Sequence, residues 1–230
     1  MNFTNYPKAV FFDFDGVIVD TEKLYCKIML KYNENTNIRI SEDYYIRNFL
    51  GKTKSEISKI LAIKYKDSYD EKQYWDGLLS FREQYLMKHK IHLKKGFKRL
   101  FKYLKKNNYF VAIVSSNSIF FIQKVLHDVS ININDFDLIV TRENVKRAKP
   151  YSDLYEYALK KTNVKRDEII TIEDSQTGII SALNAHLKVI CIKDLSIIAN
   201  DLSSKCLLSV LSLNDVLDFF KYKGGKNGNN

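Results

Sequence analysis

Short apolar runs recur along this chain at intervals filled by helical periodicity, and that alternation limits the folds open to it. The runs are Ala9–Phe12, Phe110–Val114, Leu138–Thr141, Ile169–Ile172 and Val189–Ile192. Each has the length of a strand and little polar character on either face. A strand needs that composition when helices cover its sheet on both sides. Between the runs, the spacing predicts helices over Phe97–Lys106, Ile119–His127, Leu154–Thr162 and Gly178–Ala185. A short strand over Cys206–Leu208 and a last helix over Asn214–Tyr222 complete the series. The pattern predicts a doubly wound α/β core with a parallel sheet.

The first run is separated from the others by a long block of different character. From Glu22 to about Lys90 no strand-like run of comparable strength occurs. Leu24, Ile28 and Leu30 open one helical pattern; Ile57, Ile60, Leu61 and Tyr65 form a second; Tyr74, Leu78, Phe81, Tyr85 and Leu86 form a third. An all-helical domain inserted after the first strand is the simple account. It divides the chain into a discontinuous core, 1–22 and 95–222, and a cap, 23–94. The Gly/Asn/Lys tail, 223–230, is expected to be disordered.

Net charge is +10, with 37 Lys+Arg against 27 Asp+Glu. Such a balance suits nucleic acid, a membrane surface or an anionic small molecule. The densest basic cluster runs from Lys94 through Lys95, Lys98, Arg99, Lys102 and Lys105 to Lys106. It leaves Phe97, Leu100, Phe101 and Leu104 at helical intervals, so it reads as the solvated face of an amphipathic helix. Neither nucleic acid nor a membrane is therefore expected as a partner. No apolar stretch approaches the ~20 residues that span a bilayer. The first apolar run is cut at once by Asp13, unlike a secretory leader. Cys26, Cys191 and Cys206 form no CxxC pair, and the four histidines have no ligand spacing. A cytoplasmic monomer is the default expectation.

In open parallel sheets, ligands bind beyond the carboxyl ends of the strands. The residues just past each apolar run therefore carry the functional question. They are Asp13-Phe14-Asp15-Gly16, Ser115-Ser116-Asn117, Thr141-Arg142-Glu143 with Lys149-Pro150 beyond, and Glu173-Asp174-Ser175. Taken singly, each has a plainer reading: a turn, a helix N-cap, a surface lysine, and a loop with a cap. Together they form a chemical set. Asp13, Asp174 and a backbone carbonyl suit Mg²⁺, which takes hard oxygen ligands and keeps several waters. Asp13 can attack as a carboxylate, and Asp15 shares its face in an extended segment and can protonate a leaving oxygen. Lys149 and Ser115 can neutralise and hydrogen-bond a phosphoryl group.

Phe12-Asp13-Phe14-Asp15-Gly16-Val17-Ile18-Val19-Asp20-Thr21-Glu22 resembles the first motif of the haloacid dehalogenase superfamily. Ser115, Lys149 and Glu173-Asp174 match the second, third and fourth motifs in order. Glu173-Asp174-Ser175-Gln176-Thr177-Gly178-Ile179 is similar to the β-phosphoglucomutase-like branch, which also carries a helical cap after motif one. The resemblance covers Ala9 to Phe220. It implies a Rossmann-like core and a Mg²⁺-dependent phosphatase of small phosphomonoesters, such as sugar phosphates, working through an aspartyl-phosphate. Asp13 is then the nucleophile and Asp15 the general acid and base. Asp13, Asp174, Glu173 and the Asp15 carbonyl serve the metal. Ser115 and Lys149 hold the phosphoryl group, with Ser116 and Asn117 beside the substrate. Asp15 argues against dehalogenation, since dehalogenases lack that carboxylate.

Gly51-Lys52-Thr53 mimics the end of a nucleotide P-loop, but Ile46 stands where that motif needs glycine. The resemblance makes Leu50–Lys54 a specificity loop of the cap, with Gly51, Lys52 and Lys54 meeting substrate. A plain helix–helix connection is the other reading. Mutases of this branch carry a histidine where Tyr25 stands here, and tyrosine is no switch near neutral pH. That substitution favours a phosphatase over a phosphomutase. A catalytically dead binding protein is the third reading, and it is opposed by the presence of Asp13, Asp15, Lys149 and Asp174.

Overall fold

The computed structural model describes residues 6–50, 52–89, 91–193 and 198–224. Its six strands are β1 (Ala9–Phe12), β2 (Phe110–Val114), β3 (Leu138–Val140), β4 (Ile169–Glu173), β5 (Lys188–Ile192) and β6 (Leu208–Val210). They form one sheet in the order β3-β2-β1-β4-β5-β6. Every pairing is parallel. β1 lies between β2 and β4, with Val10 opposite Val111 on one side and Ile170 on the other.

Strand periodicity divides the core into two layers. Val10 and Phe12 join one cluster, with Phe97, Leu100 and Leu104 of α5 (Phe97–Lys106) and Phe220 of α10 (Leu213–Gly224). Ala9 and Phe11 join the other, with Leu154, Tyr155 and Ala158 of α7 (Asp153–Lys161) and Ile179 of α8 (Gln176–Asn184). All four residues of β1 are fully buried, which explains their unbroken apolar character. Burying one such side chain stabilises the fold by roughly 1.5–3 kcal/mol. On α5, Lys98, Arg99, Lys102 and Lys106 are exposed, so the basic cluster is a solvated helix face.

The inserted block holds four helices: α1 (Glu22–Asn33), α2 (Glu42–Asn48), α3 (Lys54–Tyr65) and α4 (Glu71–Lys88). Sequence periodicity missed α2, because Tyr45 is its one buried residue and leaves no apolar rhythm to read. Ser41 caps it by accepting from the Tyr44 amide. The two chain crossings between core and cap run antiparallel to each other. Asp20 N donates to His92 O at 2.9 Å, and Lys94 N donates to Ile18 O at 2.9 Å. Lys94 also pairs with Asp20 across them at 3.5 Å.

Between β2 and β3 stands α6 (Ile119–Asp128), and between β5 and β6 the short α9 (Asn200–Ser203). The last strand begins two residues later than the apolar run Cys206–Leu208 predicts. Cys206 N instead closes the turn after α9 by donating to Ser203 O, and the ladder starts as Leu207 N reaches Val189 O. α10 runs to Gly224; residues 225–230 of the tail lie outside the described part. Among the described residues no helix is long and apolar enough to cross a membrane.

Candidate active site

The carboxyl ends of β1, β2 and β4 and the segment after β3 converge on one point. Asp13 prolongs β1, its amide donating to Ile172 O at 3.0 Å. The chain then turns at Gly16, whose φ of +67° favours glycine. A Cβ there would lie 1.7 Å from Asp174 Oδ2, so Gly16 also lets the two acidic segments approach. Glu173 ends β4 and is fully buried, and Asp174 follows it. Ser115 follows β2, its amide donating to Val140 O at 2.9 Å.

Lys149 binds these strand ends together. Its ammonium donates to Asp13 Oδ1 at 2.5 Å, Glu173 Oε1 at 2.7 Å and Val114 O at 2.8 Å. Three acceptors use all its protons. Burial alone would discharge the amine, but the Asp13 and Glu173 charges outweigh it and hold its pKa above the ordinary lysine value. Burial raises the Glu173 carboxyl although Lys149 opposes the shift. Tyr155 OH donates to Glu173 Oε1 at 2.5 Å, leaving Oε2 buried without a hydrogen-bond partner. A Cβ on Gly178 would come within 1.9 Å of that Oε2.

Asp15 is half-buried where the core meets the cap. Loss of solvent, and then the Asp13 charge, raises its pKa to about 6. Its carboxylate accepts from Tyr25 OH of α1 at 3.2 Å and from Asn117 Nδ2. A carboxyl poised there can give up and regain a proton near neutral pH. Burial, reinforced by the Asp15 charge, drives the Tyr25 phenol well above its usual value, so Tyr25 donates without titrating.

Asp13, Glu173 and Asp174 each offer a carboxylate oxygen, and these atoms lie within 4.8 Å of one another. The all-oxygen donors, the partnerless Glu173 Oε2 and the clearance at Gly16 fit a small hard cation such as Mg²⁺.

A cleft of about 360 Å³ opens over the cluster. Asp13, Asp15, Ser115, Ser116, Asn117 and Lys149 line its core side, and Tyr45, Phe49, Lys52 and Ile57 its cap side. Lys54 is not part of that lining; its ammonium stands 5.3 Å from the Trp75 ring centre, beside a second cavity inside the cap. Gly51 lies outside the described residues. Ser118, not Ser115-Ser116-Asn117, caps α6, accepting from the Phe121 amide. Ser175 does cap α8. Sequence reasoning did not find Tyr155 as the partner of Glu173. Tyr155 sits on the apolar face of α7 and gives no polar signal of its own.

Strand-end carboxylates gathered round a buried lysine define a parallel α/β enzyme suited to phosphoryl chemistry. The sequence profile described as haloacid dehalogenase-like hydrolase matches residues 10–192, and the chain belongs to that family. It is 25% identical over 183 residues to a "Phosphorylated carbohydrates phosphatase" of Thermotoga maritima, covering 79% of this chain and 82% of that one. It is 30% identical over 206 residues to a "Probable pseudouridine-5'-phosphatase" of Saccharomyces cerevisiae, covering 78% and 80%. A solved HAD family hydrolase from Deinococcus radiodurans superposes with a TM-score of 0.80 at 20% identity, covering 95% and 96%.

Proposed function

We propose that this protein is a phosphatase that hydrolyses a small phosphomonoester metabolite through an aspartyl-phosphate on Asp13. The observation that carries the reading is the buried Asp13–Lys149–Glu173–Asp174 cluster with Asp15 beside it at a pKa of about 6. In the first half-reaction an Asp13 carboxylate oxygen attacks phosphorus in line, and the ester P–O bond breaks. The protonated Asp15 carboxyl passes its proton to the departing alkoxide. In the second, the Asp15 carboxylate takes a proton from water. The hydroxide attacks phosphorus, breaking the acyl P–O bond and regenerating Asp13. Lys149 offsets the charge that builds on the phosphoryl oxygens, and Ser115 and Asn117 orient them. Asp13, Asp174 and the Asp15 carbonyl, together with Glu173, would hold Mg²⁺, which would supply further neutralisation of that charge.

Tyr25 favours hydrolysis over a mutase cycle. A mutase must keep water from the acyl phosphate until the second hydroxyl arrives, and a phenol that does not titrate gives no proton switch for that delay. The relatives act on phosphorylated carbohydrates and pseudouridine 5'-phosphate by their names, which supports a phosphorylated metabolite as substrate. The test is Asp13→Asn, assayed on acetyl phosphate and a metabolite panel. Turnover should fall below about 1% of wild type with the thermal midpoint preserved. Higher residual turnover would refute the nucleophile.

A further inference from the structure

Tyr155 is fully buried in the first turn of α7, yet it carries a hydroxyl into an apolar layer. Ala9, Phe11, Leu154, Ala158 and Ile179 belong to the same cluster. Packing there asks only for an aromatic ring, and a phenylalanine would supply one. A hydroxyl in such surroundings is unfavourable unless it finds a partner. Its partner is Glu173 Oε1, at 2.5 Å. The added oxygen serves the carboxylate rather than the core.

Glu173 is bonded unevenly. Its Oε1 accepts from both Tyr155 and Lys149, at 2.5 and 2.7 Å, while Oε2 is buried without a hydrogen-bond partner. A carboxylate with two donors beside it gains by turning one oxygen to each. Three features hold the uneven arrangement instead. The phenol is fixed by the packing of its ring. Lys149 is pinned by Asp13 Oδ1 at 2.5 Å and Val114 O at 2.8 Å. Gly178 leaves open the space beside Oε2, since a Cβ there would stand 1.9 Å from it. One stretch of chain supplies both donors, and Lys149 Nζ stands 5.1 Å from the Tyr155 ring centre.

An unpaired oxygen beside two further carboxylates suits a cation, and Asp13, Glu173 and Asp174 offer oxygens within 4.8 Å of one another. A group that hydrogen-bonds the other oxygen of a ligating carboxylate fixes its orientation, and losing such a group costs about 10–100-fold in metal affinity or activity. We propose that Tyr155 is a positioning residue of this site: its hydroxyl occupies Glu173 Oε1, so that Oε2 is held free for a divalent cation and Lys149 is left to serve Asp13. Without the phenol, Lys149 alone among the described residues donates to Glu173 Oε1, and it is drawn away from Asp13. The assignment rests on the phosphatase reading for its effect on turnover. For its effect on metal binding it rests on the Tyr155–Glu173 contact.

Tyr155→Phe keeps the ring, its packing and its approach to Lys149, and removes the hydroxyl. The metal-free full-length protein is titrated with MgCl₂ by isothermal titration calorimetry, and acetyl phosphate turnover is measured across a range of Mg²⁺. In the variant, Mg²⁺ binding is expected to weaken about tenfold. At saturating Mg²⁺, kcat should fall about tenfold with KM for acetyl phosphate within about threefold of wild type. The thermal midpoint should stay within about 4 °C. Leu187→Val, in the same apolar layer just before β5, supplies the packing control. It should lower the midpoint and leave Mg²⁺ affinity within about twofold of wild type. Mg²⁺ affinity or kcat unchanged in Tyr155→Phe, an equal loss of affinity in Leu187→Val, or no Mg²⁺ binding by the wild type would overturn the proposal. If Tyr155→Phe weakens Mg²⁺ binding but the wild type turns over neither acetyl phosphate nor any phosphorylated metabolite, the phosphatase reading fails and the role of Tyr155 at Glu173 stands.

Discussion

On the core side of the cleft, Asp13, Ser115, Glu173 and Asp174 leave the sheet at strand ends and are at most 8% exposed. On the cap side, Lys52 in the loop before α3 and Lys54 at the start of α3 are exposed, and Trp75 is only half-buried. The difference follows from what positions each set. A strand end is fixed by backbone hydrogen bonds to its neighbours, so register alone sets where Asp13 meets Asp174. The cap helices meet through side chains. Tyr32, for example, packs edge-on against Tyr74 and tilted against Phe81. Such contacts repack with modest cost, so a cap can change what it receives while the core keeps its chemistry.

Metal removal should give the largest effect and should strike the core alone. Excess EDTA is expected to abolish hydrolysis of every phosphate tested, and Mg²⁺ to restore it, with Ca²⁺ a poor substitute. Ca²⁺ prefers more ligands at longer distances and would misplace the nucleophile. Full turnover in EDTA would contradict the site.

A matched pair of glycine substitutions separates the regions more finely. In Gly178→Ala the new methyl would lie 1.9 Å from Glu173 Oε2, and Lys149 and Tyr155 prevent that carboxylate from yielding. We expect kcat on acetyl phosphate to fall by about 10²-fold, with about 1–3 kcal/mol of stability lost. In Gly77→Ala the methyl would meet Tyr32 Oη at 2.2 Å, inside the cap. A similar loss of stability is expected there, with kcat on acetyl phosphate within about threefold of wild type. Stopped assays and thermal melts on both variants decide it; equal losses of kcat would break the distinction between the two regions.

The smallest effect tests the contact that joins them. Tyr25→Phe removes a hydrogen bond that favours the charged form of Asp15. Without it the carboxyl holds its proton to higher pH. The alkaline limb of kcat should therefore move upward from the wild-type position, with the maximum changing only about two- to fivefold. A downward or absent shift would show that Tyr25 does not tune Asp15.

The sheet, its parallel sense and the four strand-end motifs could be read from the sequence because each rests on local information. An apolar run of strand length implies burial on both faces, and the residue after it implies a place on the rim. Asp13, Asp15, Ser115, Glu173 and Asp174 could be placed on the rim in this way, and the structure brings Lys149, which lies well past the third run, into contact with Asp13 and Glu173. α2 was not, because a helix with one buried residue leaves no periodic trace. Tyr155 was not, because a tyrosine on an apolar face reads as packing until Glu173 is seen beneath its hydroxyl. Lys54 was read as part of the Leu50–Lys54 loop but opens α3, and its partner, Trp75, lies on another helix. These features depend on which side chains meet across elements distant in sequence. Such meetings are settled by packing in three dimensions, whereas periodicity and strand-end position are set by the backbone and by each residue's own chemistry.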